Sequence, residues 1–430
     1  MLKNQTGCFI VKKMINLEEE NNKKVRALLV GEPGNSLSEL KGLTDTLGLE
    51  TAGTIILTRL EVQPAYGMGK GKAEEIASEA KELEADCIIF DFNLEPTKQR
   101  NWEKLTKIPC FDRQEVIIRI FAQRARTKEA VLQVRLARLS YSLPRLAHSY
   151  GDMARQRGGS YGSKGSGETQ LELDQRRVRT LIQQTKKELE LVVKNRETQR
   201  KKRSSIPVPE CALIGYTNAG KSSLLNALTG ADTFVENKLF ATLDPLTRKL
   251  NLKNGNGILL TDTVGFISNL PHSLIDAFKS TLSEAKRADL NLIVIDAGAP
   301  NAQNHYNTVK NVLEEIDAAE NPSLIVLNKW DSVDQDELLQ AELRNAFPGA
   351  IRVSAKTGFG FNELFEAISE KLMGTIELYE IPCSETALIN KIRTEGIITE
   401  EKWQDESVIL TARISGKTKK LCEKYRRERK

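Results

Sequence analysis

The stretch "GYTNAGKSS", residues 215–223, constrains the fold of this chain more than any other part of the sequence. It fits the pattern G-x-x-x-x-G-K-[ST] and lies between a predicted strand, "ECALIGY", and a predicted helix, "SSLLNALTG". Glycines in such a loop allow backbone N–H groups to turn inward around phosphate oxygens, at the positive end of the helix. Lys221 can reach the β- and γ-phosphates, and the Ser222 hydroxyl can join the coordination shell of Mg²⁺. The predicted phosphate-binding residues are Gly215, Tyr216, Thr217, Asn218, Ala219, Gly220, Lys221, Ser222 and Ser223.

Three short motifs follow, each after an apolar run that is typical of a strand. "DTVG" offers Asp262 to hold Mg²⁺ through water and the Gly265 N–H to meet the γ-phosphate. "NKWD" offers Asp331, which can accept two hydrogen bonds from guanine, a pairing that adenine does not provide. "SAK" ends a further strand, where a backbone N–H can meet guanine O6. The predicted nucleotide-binding residues here are Asp262, Thr263, Val264, Gly265, Asn328, Lys329, Trp330, Asp331, Ser354, Ala355 and Lys356.

Each of these motifs alone is compatible with an ordinary loop. The four together, in order and at the ends of strands, indicate a GTP-binding domain, because ligands of open α/β sheets bind outside the carboxyl ends of the strands. Apolar strands that alternate with helical patterns further indicate a parallel sheet covered on both faces. The predicted fold class is α/β, with a P-loop GTPase domain, a small N-terminal α/β domain, an antiparallel helical hairpin and a small α+β C-terminal domain.

Changes of periodicity divide the chain into five predicted parts. Residues 1–23 form an N-terminal extension, and residues 24–112 alternate between strands and helices as a small α/β domain. In residues 113–205, leucines at helical spacing on both sides of a glycine-rich stretch predict two long antiparallel helices. Residues 206–373 contain the four nucleotide motifs, and residues 374–430 are expected to form the C-terminal domain.

Candidates for the catalytic machinery come from the residues beside these motifs. Either Thr242 or Thr247 should coordinate Mg²⁺ only when the γ-phosphate is present, and spacing does not choose between them. Many GTPases place a glutamine directly after the Asp-x-x-Gly motif to orient the attacking water, but this chain has Phe266 there. Slow intrinsic hydrolysis is therefore expected, with Lys221 and Asn218 as candidates for stabilising transition-state charge. Asn218 either helps to hold a K⁺ ion or only braces the loop.

Charge is distributed unevenly along the chain. Between Arg113 and Arg203 there are 22 Lys and Arg against 9 Asp and Glu, a net +13 that leaves −8 for the rest of a +5 chain. This asymmetry favours a polyanion-binding module, and a solvated helical surface is the alternative. Because aromatic residues are sparse in this segment, we expect recognition of folded RNA shape rather than base stacking.

Composition excludes several other classes of protein. Six cysteines lie far apart without a C-x-x-C pair, and there are only three histidines. A disulfide framework or a zinc site is therefore not expected, and any metal should use oxygen ligands. No apolar run approaches the roughly 18 residues that span a bilayer, and no signal-peptide core precedes the first charges. We expect a cytoplasmic protein.

Three motifs together resemble those of HflX-type GTPases of the Obg-HflX group. They are "FATLD" at residues 240–244, "DTVGF", and "RQRGGSYGSKGSGETQLELDQRR", which is close to that family's signature. The resemblance covers nearly the whole chain and implies that Thr242 is the switch threonine. The nucleotide-binding residues that it adds are Phe240, Ala241, Thr242, Leu243 and Asp244. The expected Mg²⁺ ligands are then Ser222, Thr242 and, through water, Asp262.

The resemblance implies a factor that binds the large (50S) ribosomal subunit and splits stalled or idle ribosomes, notably under heat stress. Its N-terminal domain and hairpin would contact rRNA near the peptidyl-transferase centre, with GTP favouring the bound state. It also implies ATPase and RNA-unwinding activity in some members. Here "YGMGKGK", residues 66–72, lacks Walker spacing, and we interpret it as a turn that caps a helix, with Lys70 and Lys72 as rRNA contacts. A monomer without DNA or membrane partners is expected.

The glycine-rich stretch "GGSYGSKGSG", residues 158–167, lies near the distal tip of the predicted hairpin. No strand precedes it and the Gly-Lys-Ser order is absent, so it is not a second phosphate loop. Its glycines and cations predict a tip that approaches packed rRNA closely and becomes ordered when it docks. The predicted rRNA-contacting residues are Arg155, Arg157, Gly158, Gly159, Gly162 and Lys164.

Two other functions stay open at this point. One is a GTP-gated rRNA-binding, ribosome-assembly or chaperone factor without splitting activity. The other is a GTPase that partners an RNA-modifying enzyme, which would need a substrate pocket with a reactive cysteine. The scattered cysteines give the second alternative little support.

Overall fold

The computed structural model describes residues 24–59, 63–149, 170–203, 208–231, 239–252, 257–268, 284–373, 376–414 and 416–427. These residues form two compact units. The first extends to Glu197 and also includes residues 239–241, and the second contains the other described residues from Thr198 onward. Across these ranges, no helix has both the length and the apolar character needed to cross a bilayer.

The first unit begins with a four-stranded parallel sheet whose strands alternate with helices. Its elements are β1 (Arg26–Gly31), α1 (Ser38–Leu47), β2 (Glu50–Ile56), α2 (Lys70–Glu82), β3 (Cys87–Phe90), α3 (Pro96–Thr106), β4 (Cys110–Asp112) and α4 (Arg113–Arg124). The strand order is β2-β1-β3-β4. Leu28, Ile88, Phe90 and Trp102 belong to the core beneath the helices. Our sequence interpretation missed β4, because a three-residue run has no detectable periodicity.

The stretch at residues 66–72 forms the predicted turn before α2. Gly69 is the N-cap of that helix, and Lys70 and Lys72 lie in its first turn. Their ammonium groups pair with Glu74 at 3.5 Å and Glu75 at 2.6 Å. Such surface pairs add little to stability.

Two long helices, α5 (Lys128–Ser149) and α6 (Gln170–Arg203), follow, and the first unit includes α6 as far as Glu197. Arg196, near the end of α6, forms a 3.2 Å ion pair with Glu129 in the first turn of α5, so the two helices run antiparallel. Asp112, at the end of β4, is fully buried and fastens α5 to the sheet. It accepts hydrogen bonds from the Tyr141 hydroxyl at 3.0 Å and the Arg145 guanidinium at 2.9 Å. The six predicted rRNA contacts of the hairpin tip lie outside the described residues.

The second unit contains a six-stranded sheet in the order β10-β9-β8-β5-β7-β6. Its elements are β5 (Glu210–Gly215), α7 (Lys221–Thr229), β6 (Leu246–Asn251), β7 (Gly257–Asp262), β8 (Leu290–Asp296), α8 (Ala302–Glu315), β9 (Ser323–Asn328), α9 (Glu337–Ala346), β10 (Ile351–Arg352) and α10 (Phe361–Met373). All pairings are parallel except that of β6 with β7. These parallel pairings confirm the predicted parallel sheet. The sequence analysis does not predict the edge strand β6, whose antiparallel pairing follows from the Asn-Gly-rich sequence before β7, since that sequence favours a hairpin.

The C-terminal part of the second unit is a separate four-stranded antiparallel sheet with two helices. Its elements are β11 (Ile376–Pro382), α11 (Thr386–Glu395), β12 (Ile397–Trp403), β13 (Ser407–Arg413), α12 (Gly416–Cys422) and β14 (Arg426–Arg427). The order β12-β13-β11-β14 is that of a β-α-β-β-α-β motif. Tyr379, Ile392 and Leu410 form part of its core. The predicted α+β class of this segment is confirmed.

Candidate nucleotide-binding site

The loop between β5 and α7 is shaped by two glycines. A Cβ atom on Gly215 would lie 2.3 Å from the Val294 carbonyl oxygen on the neighbouring strand. Gly220 has φ +86, a left-handed conformation that favours glycine, and it is the N-cap of α7. Lys221 follows as the first residue of the helix and is buried. Its ammonium donates to the carbonyl oxygens of Gly215 at 3.1 Å and Tyr216 at 2.9 Å, which places the cation at the centre of the loop.

Three side-chain oxygens meet beside the first turn of α7. The Ser222 hydroxyl lies 2.8 Å from the Thr242 hydroxyl and donates to Asp262 Oδ2 at 2.5 Å. The other hydroxyl that spacing allowed, Thr247, lies 2.9 Å from the Thr261 hydroxyl instead. The structure therefore brings Thr242, and not Thr247, to Ser222 and Asp262.

This oxygen set fits a hard divalent cation. Asp262 Oδ1 and the Thr217 hydroxyl are both buried, and neither has a hydrogen-bond partner. Burial raises the pKa of the Asp262 carboxyl, although the nearby Lys221 ammonium opposes the shift. A buried carboxylate oxygen without a partner is costly, and a hydrated Mg²⁺ would compensate it. Around the described residues, no group of three or more His, Cys, Asp or Glu side chains is arranged to hold a metal.

The "NKWD" and "SAK" motifs meet at the same edge of the sheet as the phosphate loop. The Asn328 side-chain amide donates to the Ala219 carbonyl at 2.9 Å, so the motif is tied to the phosphate loop. Asn328 Oδ1 accepts the Ala355 N–H at 3.2 Å. Asp331 Oδ1 accepts the hydroxyl of the fully buried Ser354 at 2.6 Å, which fixes the orientation of the carboxylate.

The segment around Phe240 is split between two locations. Thr242 belongs to the oxygen cluster, whereas the Phe240 ring packs against Phe121 in the first unit, with ring centroids 4.6 Å apart. Phe240 is 3% exposed and has φ +54. Phe266, directly after Gly265, is also buried, so it presents no polar group to an attacking water. Gly265 itself lies against Lys221, because a Cβ there would be 3.0 Å from the ammonium nitrogen.

Sequence reasoning missed three residues that support the site. Asp296, at the end of β8, accepts a hydrogen bond from the Lys329 ammonium at 2.7 Å and so restrains the side chain of this motif residue. Asp296 could have been identified from the sequence, because it is an acidic residue at the end of the apolar strand "LNLIVID". Ser268 and His305 both contact Tyr216, and no local pattern indicates either contact.

Nucleotide affinity is expected to fall as the pH rises above about 8. Burial lowers the pKa of Lys221 to about 8, so without nucleotide this group loses its proton above that pH. Phosphates favour the charged form and raise its pKa, and binding therefore takes up a proton in that range. GDP affinity should fall by up to tenfold per pH unit between about pH 8 and about pH 10. Isothermal titration in buffers of different ionisation enthalpy measures both the GDP affinity and the number of protons taken up on binding. Lys221→Arg, which stays charged, should remove the slope, and a flat wild-type profile would contradict the prediction.

Three family models match the chain. They are described as "GTP-binding GTPase N-terminal" over residues 34–122, "GTP-binding GTPase Middle Region" over residues 124–203, and "50S ribosome-binding GTPase" over residues 210–329. A crystal structure of a GTP-binding protein from Sulfolobus solfataricus with GDP is 24% identical and covers 81% of this chain and 99% of its own, at a TM-score of 0.44.

Curated proteins match at higher identity over most of the chain. The GTPase HflX of Akkermansia muciniphila is 41% identical over 420 residues, which cover 93% of this chain and 96% of that protein. The GTPase HflX of Escherichia coli (strain K12) is 41% identical over 382 residues, which cover 88% and 89%. The chain therefore belongs to the HflX family and is a GTP-binding GTPase.

Proposed function

We propose that this chain is a GTP-controlled factor that attaches to the large ribosomal subunit and splits stalled or idle ribosomes. The description of the family model over residues 210–329, a 50S ribosome-binding GTPase, supports the partner. The exposed basic face of α6 is the structural observation that supports an RNA-facing role most directly. As a ribosome-directed factor, the protein would act in the cytoplasm as a monomer.

One side of α6 carries five exposed cations, Arg176, Arg179, Lys186, Lys187 and Lys194, together with two exposed carboxylates, Glu172 and Glu190. In an α-helix these positions fall within about 100° of arc, and residues 176–194 extend over about 27 Å. Asp174 and Thr185 are buried on other faces of the same helix. A stripe of this length can neutralise several backbone phosphates of folded RNA and release their counterions.

Reversing four of these charges is the test of the proposed RNA contact. The change is Arg176→Glu, Arg179→Glu, Lys187→Glu and Lys194→Glu in one variant. We expect 50S affinity to fall at least about 100-fold at low salt, and the dependence of log affinity on log salt to lose about three units of slope. Co-sedimentation with 50S subunits and a non-hydrolysable GTP analogue measures both.

A matched control reverses four exposed cations of the second unit and should leave 50S affinity close to that of the wild type. These cations are Arg248, Lys310, Arg344 and Lys371. Both variants should bind GTP normally, because none of the eight residues belongs to the nucleotide motifs. Equal losses of 50S affinity in the two variants would indicate a non-specific charge effect and contradict a role for the α6 face.

Within the second unit, we propose that the phosphates of GTP bind residues 215–223 and that guanine binds Asp331. Ser222, Thr242 and Asp262, the last through water, would hold Mg²⁺. The cluster of these three oxygens and the unpartnered Asp262 Oδ1 support this assignment. Thr242 already lies beside Ser222 in this structure, and a γ-phosphate that shares the Mg²⁺ ion with Thr242 would hold it there. GTP and GDP would then leave the loop before β6 in different states.

Potassium is expected to accelerate hydrolysis. Asn218 is exposed in the phosphate loop with φ +61, and the buried Phe266 leaves no side chain to orient water at the usual position. A K⁺ ion held in part by Asn218 would supply positive charge to the transition state. We expect turnover at least about tenfold faster in K⁺ than in Na⁺ at equal ionic strength, and Asn218→Ala should abolish the difference. Equal rates in the two salts would contradict a K⁺ site.

Of the two other functions left open by the sequence, partnership in RNA modification is the less supported. Burial raises the pKa of Cys87 and Cys211 to about 12 and that of Cys422 to about 11, so these thiols are not reactive nucleophiles. A GTP-gated binding or assembly factor shares the same RNA-facing surface. It differs from a splitting factor only in its effect on intact ribosomes.

A further inference from the structure

Tyr216, the second residue of the phosphate loop, has a ring that is fixed from an adjacent helix. It is 6% exposed and stacks on His305, with ring centroids 3.9 Å apart and an interplanar angle of 11°. His305 is the fourth residue of α8. The stack leaves the phenol oxygen with a defined position, because the ring cannot rotate away without losing this contact.

The Tyr216 hydroxyl contacts both the backbone N–H and the hydroxyl of Ser268. It accepts the Ser268 N–H at 2.7 Å, and its oxygen lies 2.6 Å from the Ser268 hydroxyl. Because the phenol accepts from the amide, its own proton is available for the serine oxygen. One side chain of the phosphate loop therefore fixes the chain three residues beyond Gly265.

Two backbone hydrogen bonds join the same segments. Phe266 N–H donates to the Gly215 carbonyl at 3.1 Å, and Thr217 N–H donates to the Phe266 carbonyl at 2.7 Å. Together with the Tyr216 hydroxyl, these bonds hold residues 266–268 against the phosphate loop. Gly265, whose N–H is expected to meet the γ-phosphate, is the residue directly before this bonded segment.

We propose that Tyr216 is a positioning residue for GTP hydrolysis, which acts by holding residues 265–268 at the γ-phosphate. The proposal rests on the proposed binding of GTP phosphates at residues 215–223. With Phe266 unable to orient water, the geometry of this backbone decides where the γ-phosphate and the attacking water meet, and small displacements there are costly in rate. The phenol does not touch the reacting atoms, so its loss should slow the chemical step more than it weakens binding.

Tyr216→Phe tests the proposal, because it keeps the ring and its stack on His305 and removes only the hydroxyl. We expect kcat for GTP to fall about tenfold, equivalent to about 1.4 kcal/mol, while KM and GDP affinity stay within about twofold of wild type. Ser268→Ala should lower kcat less, since its amide remains, and the double variant should be no slower than Tyr216→Phe. Tyr306→Phe, on the same helix, is the matched control and should turn over at the wild-type rate.

A second pair of variants tests the stack. His305→Ala should lower kcat, and His305→Phe, which restores an aromatic neighbour, should recover most of it. The proposal is overturned if Tyr216→Phe hydrolyses GTP at the wild-type rate, if GDP affinity falls as much as kcat, or if the Tyr216 and Ser268 effects add. An error in the proposed nucleotide site would give a different result from an error in the role of Tyr216. In that case, GDP binding would not respond to changes at Lys221 in the otherwise wild-type protein.

Discussion

Replacing Asp331 with asparagine is expected to lower GTP affinity by about 10²- to 10³-fold and to create affinity for xanthosine triphosphate. Ser354 holds Asp331 Oδ1 at 2.6 Å, so the carboxylate is oriented before any ligand binds. Guanine presents two N–H donors to this carboxylate, and an asparagine would oppose one of them with a donor of its own. Xanthine has a carbonyl oxygen where guanine has its exocyclic amine, and that oxygen can accept from the new amide.

Competition of fluorescent GDP by GTP and by xanthosine triphosphate measures this exchange of specificity. Asp334→Asn removes an exposed carboxylate three residues further on and is the matched control, with unchanged preference expected. Loss of affinity for both nucleotides would indicate damage to the loop. Unchanged GTP affinity in Asp331→Asn would contradict the assignment of the guanine site.

Gly215→Ala is the second change with a large expected effect. Its Cβ would lie 2.3 Å from the Val294 carbonyl oxygen, and β5 pairs with β8 at this position. Either the strands separate or the phosphate loop shifts, and overpacking of this kind costs about 1–3 kcal/mol. We expect at least about 100-fold weaker GDP binding and a lower thermal midpoint for the second unit.

Gly71→Ala is the control for Gly215→Ala, because it lies inside α2 and its added Cβ would meet no described atom within 4 Å apart from its chain neighbours and the backbone of its own helix. That variant should be neutral or stabilised by about 0.5–1 kcal/mol. Scanning calorimetry and GDP titration compare the two variants. Wild-type GDP affinity and thermal midpoint in Gly215→Ala would contradict the close approach of β5 and β8.

The meeting of the nucleotide motifs could be predicted from the sequence because parallel strands end at one edge of a sheet. Four loops spread over residues 215–356 were therefore expected to meet, and Asn328 does contact Ala219. The choice between Thr242 and Thr247 needed the structure, because a loop of unknown path gives no distance to Ser222. The family resemblance implies Thr242, and the structure places Thr242 beside Ser222.

Other features depended on contacts that have no local signature. The Tyr216 hydroxyl bonds to a residue 52 positions away, and neither residue lies on a periodic pattern. Phe240 was expected beside the nucleotide, but its ring packs in the first unit, and a hydrophobic residue in a loop gives no sign of its direction. The two-residue strand β14 pairs with β11 across the C-terminal domain, and no propensity argument predicts a strand of that length.

Sedimentation of 70S ribosomes tests the central claim most directly. Ribosomes are incubated with the protein and a non-hydrolysable GTP analogue, or with GDP, and separated on a sucrose gradient. The proposed function predicts that 70S particles convert to 30S and 50S subunits with the GTP analogue, with the protein on the 50S peak, and stay intact with GDP. Intact 70S particles that bind the protein in the presence of the analogue would contradict splitting.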